Sequence, residues 1–444
     1  MSTKHLVAAS AAAFLVSTSL APTAADAQTQ VQWWHAMSGQ LGEKLDEIVA
    51  DFNAAQDDYR VEAIYKGNYT ETMNAAIAAF RAGEQPHIVQ VFEVGTATMM
   101  AARGAVYPVE QLMLDAGHDF SIDDFVAAVA SYYTTPEGEL LSMPFNSSTP
   151  VLWYNKDHFS AAGLDPETPP RTWDEVGEFS RQIVDEGAAE CGLSFGWQSW
   201  VLVENMSAWH DQPIGTQENG FAGLDTEFVF HENDVVPRLI EQIGSWGEEG
   251  LFRYGGRRGD SLPLFTTGEC SMWLNSSAYY GGIKEQAEFA FGVGMLPYYD
   301  DIEAAPQNSI IGGATLWVLQ GKPAEEYEAV AAFFAHLASP EVQADWHQST
   351  GYVPITTAAY DLTRESGFYD EEPGTNIAVE QLNLNEPTPN SKGLRFGNFV
   401  QIRDVINDEL EAVWNGTKPA EQALEDAAAA GNTLLRRFED ANAS

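Results

Sequence analysis

Five consecutive residues, Gly192-Leu193-Ser194-Phe195-Gly196, match the pattern of a hydrolase nucleophile elbow. That elbow needs a buried strand directly before its serine, and Glu186-Gly187-Ala188-Ala189-Glu190 reads instead as a helix end and loop. A chain with 37 glycines meets such a short pattern by chance, so a secreted hydrolase built on Ser194 is a remote alternative. The phosphate-cradle and zincin patterns G-x-x-x-x-G-K-[ST], G-x-G-x-x-G and H-E-x-x-H are absent. The 9 histidines lack ligand spacing, and among 65 acidic residues any two carboxylates can be paired on paper, so a glycosidase has no specific support. Cys191 and Cys270 have no second Cys or His at metal spacing; one disulfide and two buried thiols both remain open. Catalytic residues, metal and cofactor are therefore all expected to be none.

Polar residues at predicted strand ends are better candidates, because ligands of open α/β sheets sit outside those ends. Glu93 closes an apolar strand, where a carboxylate suits accepting hydrogen bonds from ligand hydroxyls; it also suits the N-terminus of the following helix. Tyr69 stands just past the Gly67-Asn68 turn, placed to pair with a polar ligand or to cover the core. Asn146-Ser147-Ser148 and Asn275-Ser276-Ser277 are small polar clusters on extended segments. Gly312-Gly313 either lets backbone N–H groups approach an anion or forms a bulge.

Alternating strand and helix signals must position these residues. Residues 31–35 read as a strand, Ser38 caps a helix whose Leu41, Leu45, Ile48, Val49 and Phe52 share a face, and residues 61–65 read as a second strand. Residues 87–92 form a continuous apolar run, as in a buried parallel strand, so the pattern predicts an α/β fold with parallel or mixed sheets. Met143-Pro144-Phe145-Asn146-Ser147-Ser148-Thr149-Pro150 has prolines near both ends and reads as a stiff crossing strand between two units. Residues 291–297 are a second crossing candidate, ahead of an apolar strand at 310–319. Thr172 and Glu175 form a capping box, and Ser339-Pro340 starts another helix. Ile402, Val405, Ile406, Leu410, Val413 and Trp414 mark a late helix ended by Gly416, followed by a last helix over 424–438.

With 444 residues, 45% hydrophobic, the chain exceeds one ordinary core and implies two units. Its 22 basic residues against 65 acidic ones leave a net charge of −43, which argues against nucleic acid and anionic membrane surfaces as partners. Lys4, the apolar run 6–20 and Ala25-Asp26-Ala27 read as a signal peptide, 1–27, cleaved near Ala27. The mature chain is then expected free in a bacterial periplasm, as a monomer.

At this point the residues resemble a family. Trp34-His35, Tyr65-Lys66-Gly67-Asn68-Tyr69, Gln90 to Met100, Pro144 to Pro150, Tyr154-Asn155-Lys156-Asp157 and Gly196-Trp197-Gln198 look like the Ugp-type glycerol-3-phosphate-binding proteins of bacterial ABC importers, in extracellular solute-binding protein family 1. So do Asn308 to Ala314, Thr350 to Thr356, Gly393 to Asn398 and Gly431 to Glu439, in order along the chain. The resemblance implies a two-lobed periplasmic binding protein fold, each lobe a mixed sheet flanked by helices, with the ligand in the cleft. The lobes would be 28–144 with 297–338, and 145–296 with 339–444, hinged near 144–150, 291–297 and 336–340. It implies ligand contacts at Tyr69, Glu93, Ser148, Ser276, Gly313, Tyr352 and Arg395, with Trp197 walling the pocket. The implied function is uptake of sn-glycerol 3-phosphate or glycerophosphodiesters such as glycerophosphocholine, handed to an inner-membrane permease with its ATPase. A neutral sugar or oligosaccharide is the alternative ligand. Arg395 beside serines suits phosphate, since a fork of charge-assisted bonds has no use in a neutral sugar site.

Overall fold

The computed structural model describes Met1 and residues 28–442; the expected signal peptide, residues 2–27 of it above all, lies outside the described residues. Strand β1 (Thr29–His35) pairs in parallel with β2 (Tyr59–Tyr65) along its whole length and with β3 (Ile88–Phe92) on its other edge. The next strand in sequence, β4 (Val106–Tyr107), is short, and β5 (Met143–Ser148) is buried throughout. Both pair antiparallel with β10 (Gly312–Leu319), which also lies against β3. A second sheet has the order β7 (Cys191–Phe195), β8 (Cys270–Ser276), β6 (Pro150–Asn155), β9 (Phe291–Gly294). Both sheets are mixed, as the strand-helix alternation predicts.

Local sequence explains the flanking helices. The helix Gly39–Ala55 buries Leu45, Ile48, Val49 and Phe52, and Ser38 occupies its N-cap position in extended geometry. Asn68 and Glu71 close a reciprocal capping box on the helix Tyr69–Ala82, which fixes where Tyr69 begins. Thr172 and Glu175 do the same for Trp173–Asp185. Cys191 and Cys270 face each other in the parallel β7–β8 register and are joined as a disulfide.

The crossing between sheets is one residue long. β5 stays in the first sheet to Ser148, with Asn146, Ser147 and Ser148 opposite Ala314, Gly313 and Gly312, and β6 begins the second sheet at Pro150. An expected lobe boundary at 144 therefore cuts through a strand that its pairing with β10 holds in the first sheet. Thr149 Oγ1 donates to Ser309 Oγ at 2.6 Å, and the Thr149 carbonyl accepts from Ser277 N at 2.9 Å. The return runs from Gly294 to Gly312. Residues beyond 339 do not all join the second sheet either: Val353 N donates to Ser147 O at 2.8 Å and Thr356 bridges Phe125, beside the first sheet. The helices Phe399–Trp414 and Ala420–Asn442 instead pack together and against Val236–Glu248.

Candidate ligand-binding cleft

A cavity of ≈ 320 Å³ lies where strand ends of the two sheets converge. Glu93 directly follows β3, Ser148 ends β5, Ser276 ends β8, and Trp197 comes two residues after β7. Gly313 lies at the start of β10, which runs the opposite way and so presents its N-terminal end to the same space. Tyr69, Tyr352, Arg258 and Arg403 add further polar groups to the wall, beside Ser38, Asn68 and Tyr279.

The strongest electrostatic feature is a buried triad. Arg403 Nη2 donates to Glu93 Oε1 at 2.7 Å and to Glu204 Oε2 at 2.6 Å, while its Nε donates to Glu204 Oε1 at 2.9 Å. All three residues are buried, at 5%, 4% and 1% exposure for Arg403, Glu93 and Glu204. Burial pushes the Glu93 carboxyl above the usual range; Arg403 pulls it back and Glu204 pushes it further up. For Arg403, burial opposes its charge, but Glu204 and Glu93 outweigh that and hold the guanidinium firmly protonated.

Neutral donors surround it. Asn146 Nδ2 donates to Tyr69 OH at 3.0 Å, Gln90 Nε2 donates to Asn146 Oδ1 at 2.8 Å, and Ala36 N donates to Gln90 Oε1 at 2.8 Å. This chain of bonds fixes the phenol from the end of β1. The Tyr69 ring stacks on Phe92 at 5.3 Å, and the Tyr352 ring on Trp346 at 5.5 Å. Burial raises the pKa of both phenols, so each keeps its proton and stays a donor. His347 Nδ1 bonds the Tyr352 carbonyl at 2.6 Å and sets that loop.

Positive φ marks two wall residues. Gly313 has φ +94, and a Cβ there would overlap the Asn146 carbonyl oxygen; the pairing with β5 slips one residue further on, between Ala314 and Thr315. The Gly-Gly pair thus serves both a bulge and an open cleft wall. Trp197 adopts φ +46, rare for a bulky side chain, with its N–H donating to Arg258 O at 3.2 Å. The Arg258 guanidinium lies 5.7 Å from the Trp197 ring centre. Two residues after Trp197 begins a wholly buried π-helical stretch, Ser199–Asn205, that delivers Glu204 to Arg403.

The structure brings Tyr69, Glu93, Ser148, Trp197, Ser276, Gly313 and Tyr352 to one cavity, and Arg395 does not join them. Arg395 Nη2 donates to the carbonyls of Tyr132 and Thr134 at 3.1 and 3.0 Å, and its guanidinium covers Phe221 at 4.2 Å, in a separate cavity. The reason is local: Arg395 precedes the helix Phe399–Trp414, and the helix face that reaches the cleft carries Arg403. Arg403 shares its burial with Phe399, Ile402, Ile406 and Leu410, and an arginine inside an apolar helix stripe is a signal that the sequence contains. Arg258 and Glu204 are further site residues that local pattern does not single out. Ser194, by contrast, sits inside β7 opposite Trp273, fully buried, rather than on a strand-to-helix elbow.

Residues 47–375 match a family described as bacterial extracellular solute-binding protein. The chain belongs to that family. Among its relatives, the sn-glycerol-3-phosphate-binding periplasmic protein UgpB of Salmonella typhimurium is 50% identical over 419 residues, 94% of this chain and 95% of that one. UgpB of Yersinia pseudotuberculosis is 49% identical over 417 residues, 94% of each chain. In structure, this solute-binding protein matches UgpB of Mycobacterium tuberculosis in complex with glycerophosphocholine with TM-score 0.76 at 20% identity, covering 92% of this chain and 98% of that one. Maltose-bound MalE3 of T. maritima matches with TM-score 0.74 at 18% identity, over 91% and 100%. At such identities the structural likeness shows the fold, the two-lobed α/β architecture of periplasmic binding proteins. Its relatives are binding proteins and periplasmic, and among the described residues no helix is long and apolar enough to cross a membrane.

Proposed function

We propose that this solute-binding protein is the receptor of an ABC importer for sn-glycerol 3-phosphate and its diesters, acting in the periplasm after loss of residues 1–27. The observation that carries the reading is a cleft with two arginines among hydroxyl donors, in a chain half identical to sn-glycerol-3-phosphate-binding proteins. Arg403 and Arg258 take the phosphate, helped by the hydroxyls of Ser148, Ser276 and Tyr352 and by the Gly313 backbone. Glu93 and Tyr69 take the glyceryl hydroxyls, and Trp197 covers the carbons. The lobes divide at Thr149, and closure about that crossing encloses the ligand from both sides. The closed form then presents it to a permease driven by an ATPase. The receptor works as a monomer, without cofactor, nucleic acid or turnover.

Titration calorimetry of the mature chain with sn-glycerol 3-phosphate, glycerophosphocholine and maltose tests this reading, with native mass spectrometry to find a carried ligand. Stoichiometric binding of a glycerophosphate ligand, recovered intact, is expected. Binding of maltose alone would replace it with a sugar receptor, and steady product release lost in Ser194→Ala with a hydrolase.

A further inference from the structure

An ion pair joins the lobes across the cleft. Glu93 directly follows β3 of the first sheet, while Arg403 rides a helix whose Trp414 packs on Phe195 of β7, in the second sheet. Their contact at 2.7 Å therefore spans both units, and the structure is a closed arrangement. Closure is settled where the chain crosses between units, and there side chains hold the return crossing. Ile310 and Ile311 lie just before β10, whose Gly312 pairs with Ser148. Ile310 N donates to Asn205 Oδ1 at 2.9 Å, and Trp200 Nε1 donates to Ile311 O at 3.4 Å. The carbonyl of the same Ile310 lies 3.3 Å from Thr149 Oγ1, at the outward crossing.

Both grips come from the buried π-helical stretch Ser199–Asn205, in which Glu204 is the carboxylate that holds Arg403 by two bonds. Asn205 is the next residue, fully buried and outside the cleft lining. Its Nδ2 donates to Trp200 O at 3.1 Å, so the stretch itself fixes the amide. Adjacent residues thus aim the guanidinium and hold the crossing. Around the crossings, Ser147 Oγ, Ser277 Oγ and Asn308 Oδ1 are buried without a hydrogen-bond partner. Such groups weigh against the closed arrangement, because each has given up water with no bond in return. The bonds to Ile310 and Ile311 act against that cost.

Resting on the receptor reading above, we propose that Asn205 is a positioning residue that couples ligand capture to closure. Its bond to Ile310 forms as the crossings reach the closed arrangement. Because Glu204 is its neighbour, the same step brings Arg403 to its final aim at the phosphate. A ligand enters before the Asn205–Ile310 bond exists and leaves only after that bond has broken. Asn205 touches no ligand, and it governs release rather than capture.

The experiment follows the Ile310 amide and the ligand rates in the mature chain and in Asn205→Leu, which keeps the bulk of the side chain and removes the acceptor. Hydrogen exchange resolved to single amides is measured with and without saturating sn-glycerol 3-phosphate or glycerophosphocholine. In wild type, protection of Ile310 is expected to rise about ten-fold on binding, and in the variant to rise far less. Stopped-flow traces are expected to show dissociation about ten-fold faster in Asn205→Leu, with association within about two-fold. An amide with only a structural role would lower the melting temperature and leave both rates unchanged well below it. Equal protection of Ile310 with and without ligand overturns the coupling and leaves the receptor reading intact, as do unchanged rates in a variant that melts cooperatively. If the variant does not fold, the wild-type exchange alone decides. Failure of wild type to bind either ligand overturns the receptor reading, and the coupling with it.

Discussion

Arg403 is the residue on which cleft and fold meet. Removing it strands two buried carboxylates, a change that costs about 3–5 kcal/mol in comparable sites. Arg403→Ala is therefore expected to lower the melting temperature and to abolish glycerophosphate binding in calorimetry. To separate the two effects, Glu93→Gln/Glu204→Gln/Arg403→Leu should recover much of the thermal stability and none of the binding; recovered binding would place the phosphate elsewhere. Arg395→Ala, whose guanidinium bonds two carbonyls far from the cleft, should leave affinity within about two-fold, since exposed or distant charges act weakly through screened solvent. Tyr69, Glu93, Ser148, Ser276 and Gly313 are legible in the sequence because a local rule places them: each is small or polar and adjoins a strand end or turn. Trp197 and Tyr352 stand in turns without such a rule and follow only from family resemblance. Arg403 is marked in the sequence only as an arginine inside an apolar stripe; its role needs tertiary knowledge, since its partners lie 310 and 199 positions away.

At the scale of elements, strand and helix order was readable from period and caps, while two devices were not. The π-helical stretch Ser199–Asn205 reads by composition as an apolar run, and only the pairing with Arg403 explains why Glu204 can be buried in it. The crossing at Thr149 is marked by Pro144 and Pro150, but the sheet to which residues 145–148 belong is set by their pairing with β10. The disulfide belongs to this scale too. Cys191 and Cys270 begin β7 and β8, whereas Phe195 and Ser276 end them toward the cleft, so the bridge secures the far edge of the second sheet. Its closed loop spans 79 positions. Cys191→Ala/Cys270→Ala is expected to lower unfolding free energy by about 2–4 kcal/mol in denaturant melts while affinity stays within about two-fold. A large loss of affinity would mean that the bridge also sets the position of the Ser276 end.

Across the whole molecule, two titrations set the response to acid and salt. Burial lowers the pKa of His210 and of His347 to about 4, and each has its ring nitrogens committed as a neutral tautomer, to Met206 O and Tyr299 N, and to Tyr352 O and Tyr369 OH. A depressed folded pKa gives stability that is present above the unfolded value of 6.5 and lost as pH falls toward 4. Each contributes up to about 3 kcal/mol over that window. Denaturant melts should show the fall, and His210→Gln/His347→Gln should flatten it; the raised pKa of Glu93 works in the opposite sense and remains in the variant. Salt acts through the net charge of −43, which an anionic ligand must approach. At physiological ionic strength the screening length is ~8 Å, so distant carboxylates are hidden and the local donors decide capture. At about 0.01 M it grows to ~30 Å, and the repulsive field reaches into solution. Association of dianionic sn-glycerol 3-phosphate should then slow several-fold, with dissociation nearly constant because the bound ligand meets the same local donors. Glycerophosphocholine has no net charge and should respond far less. Stopped-flow tryptophan fluorescence across an ionic-strength series, with Trp197 and Trp200 in the cleft wall as reporters, reads both rates. Faster capture of sn-glycerol 3-phosphate at low salt would mean that Arg258, in the cleft wall and without a carboxylate partner among the described residues, outweighs the molecule's global charge as an attracting funnel.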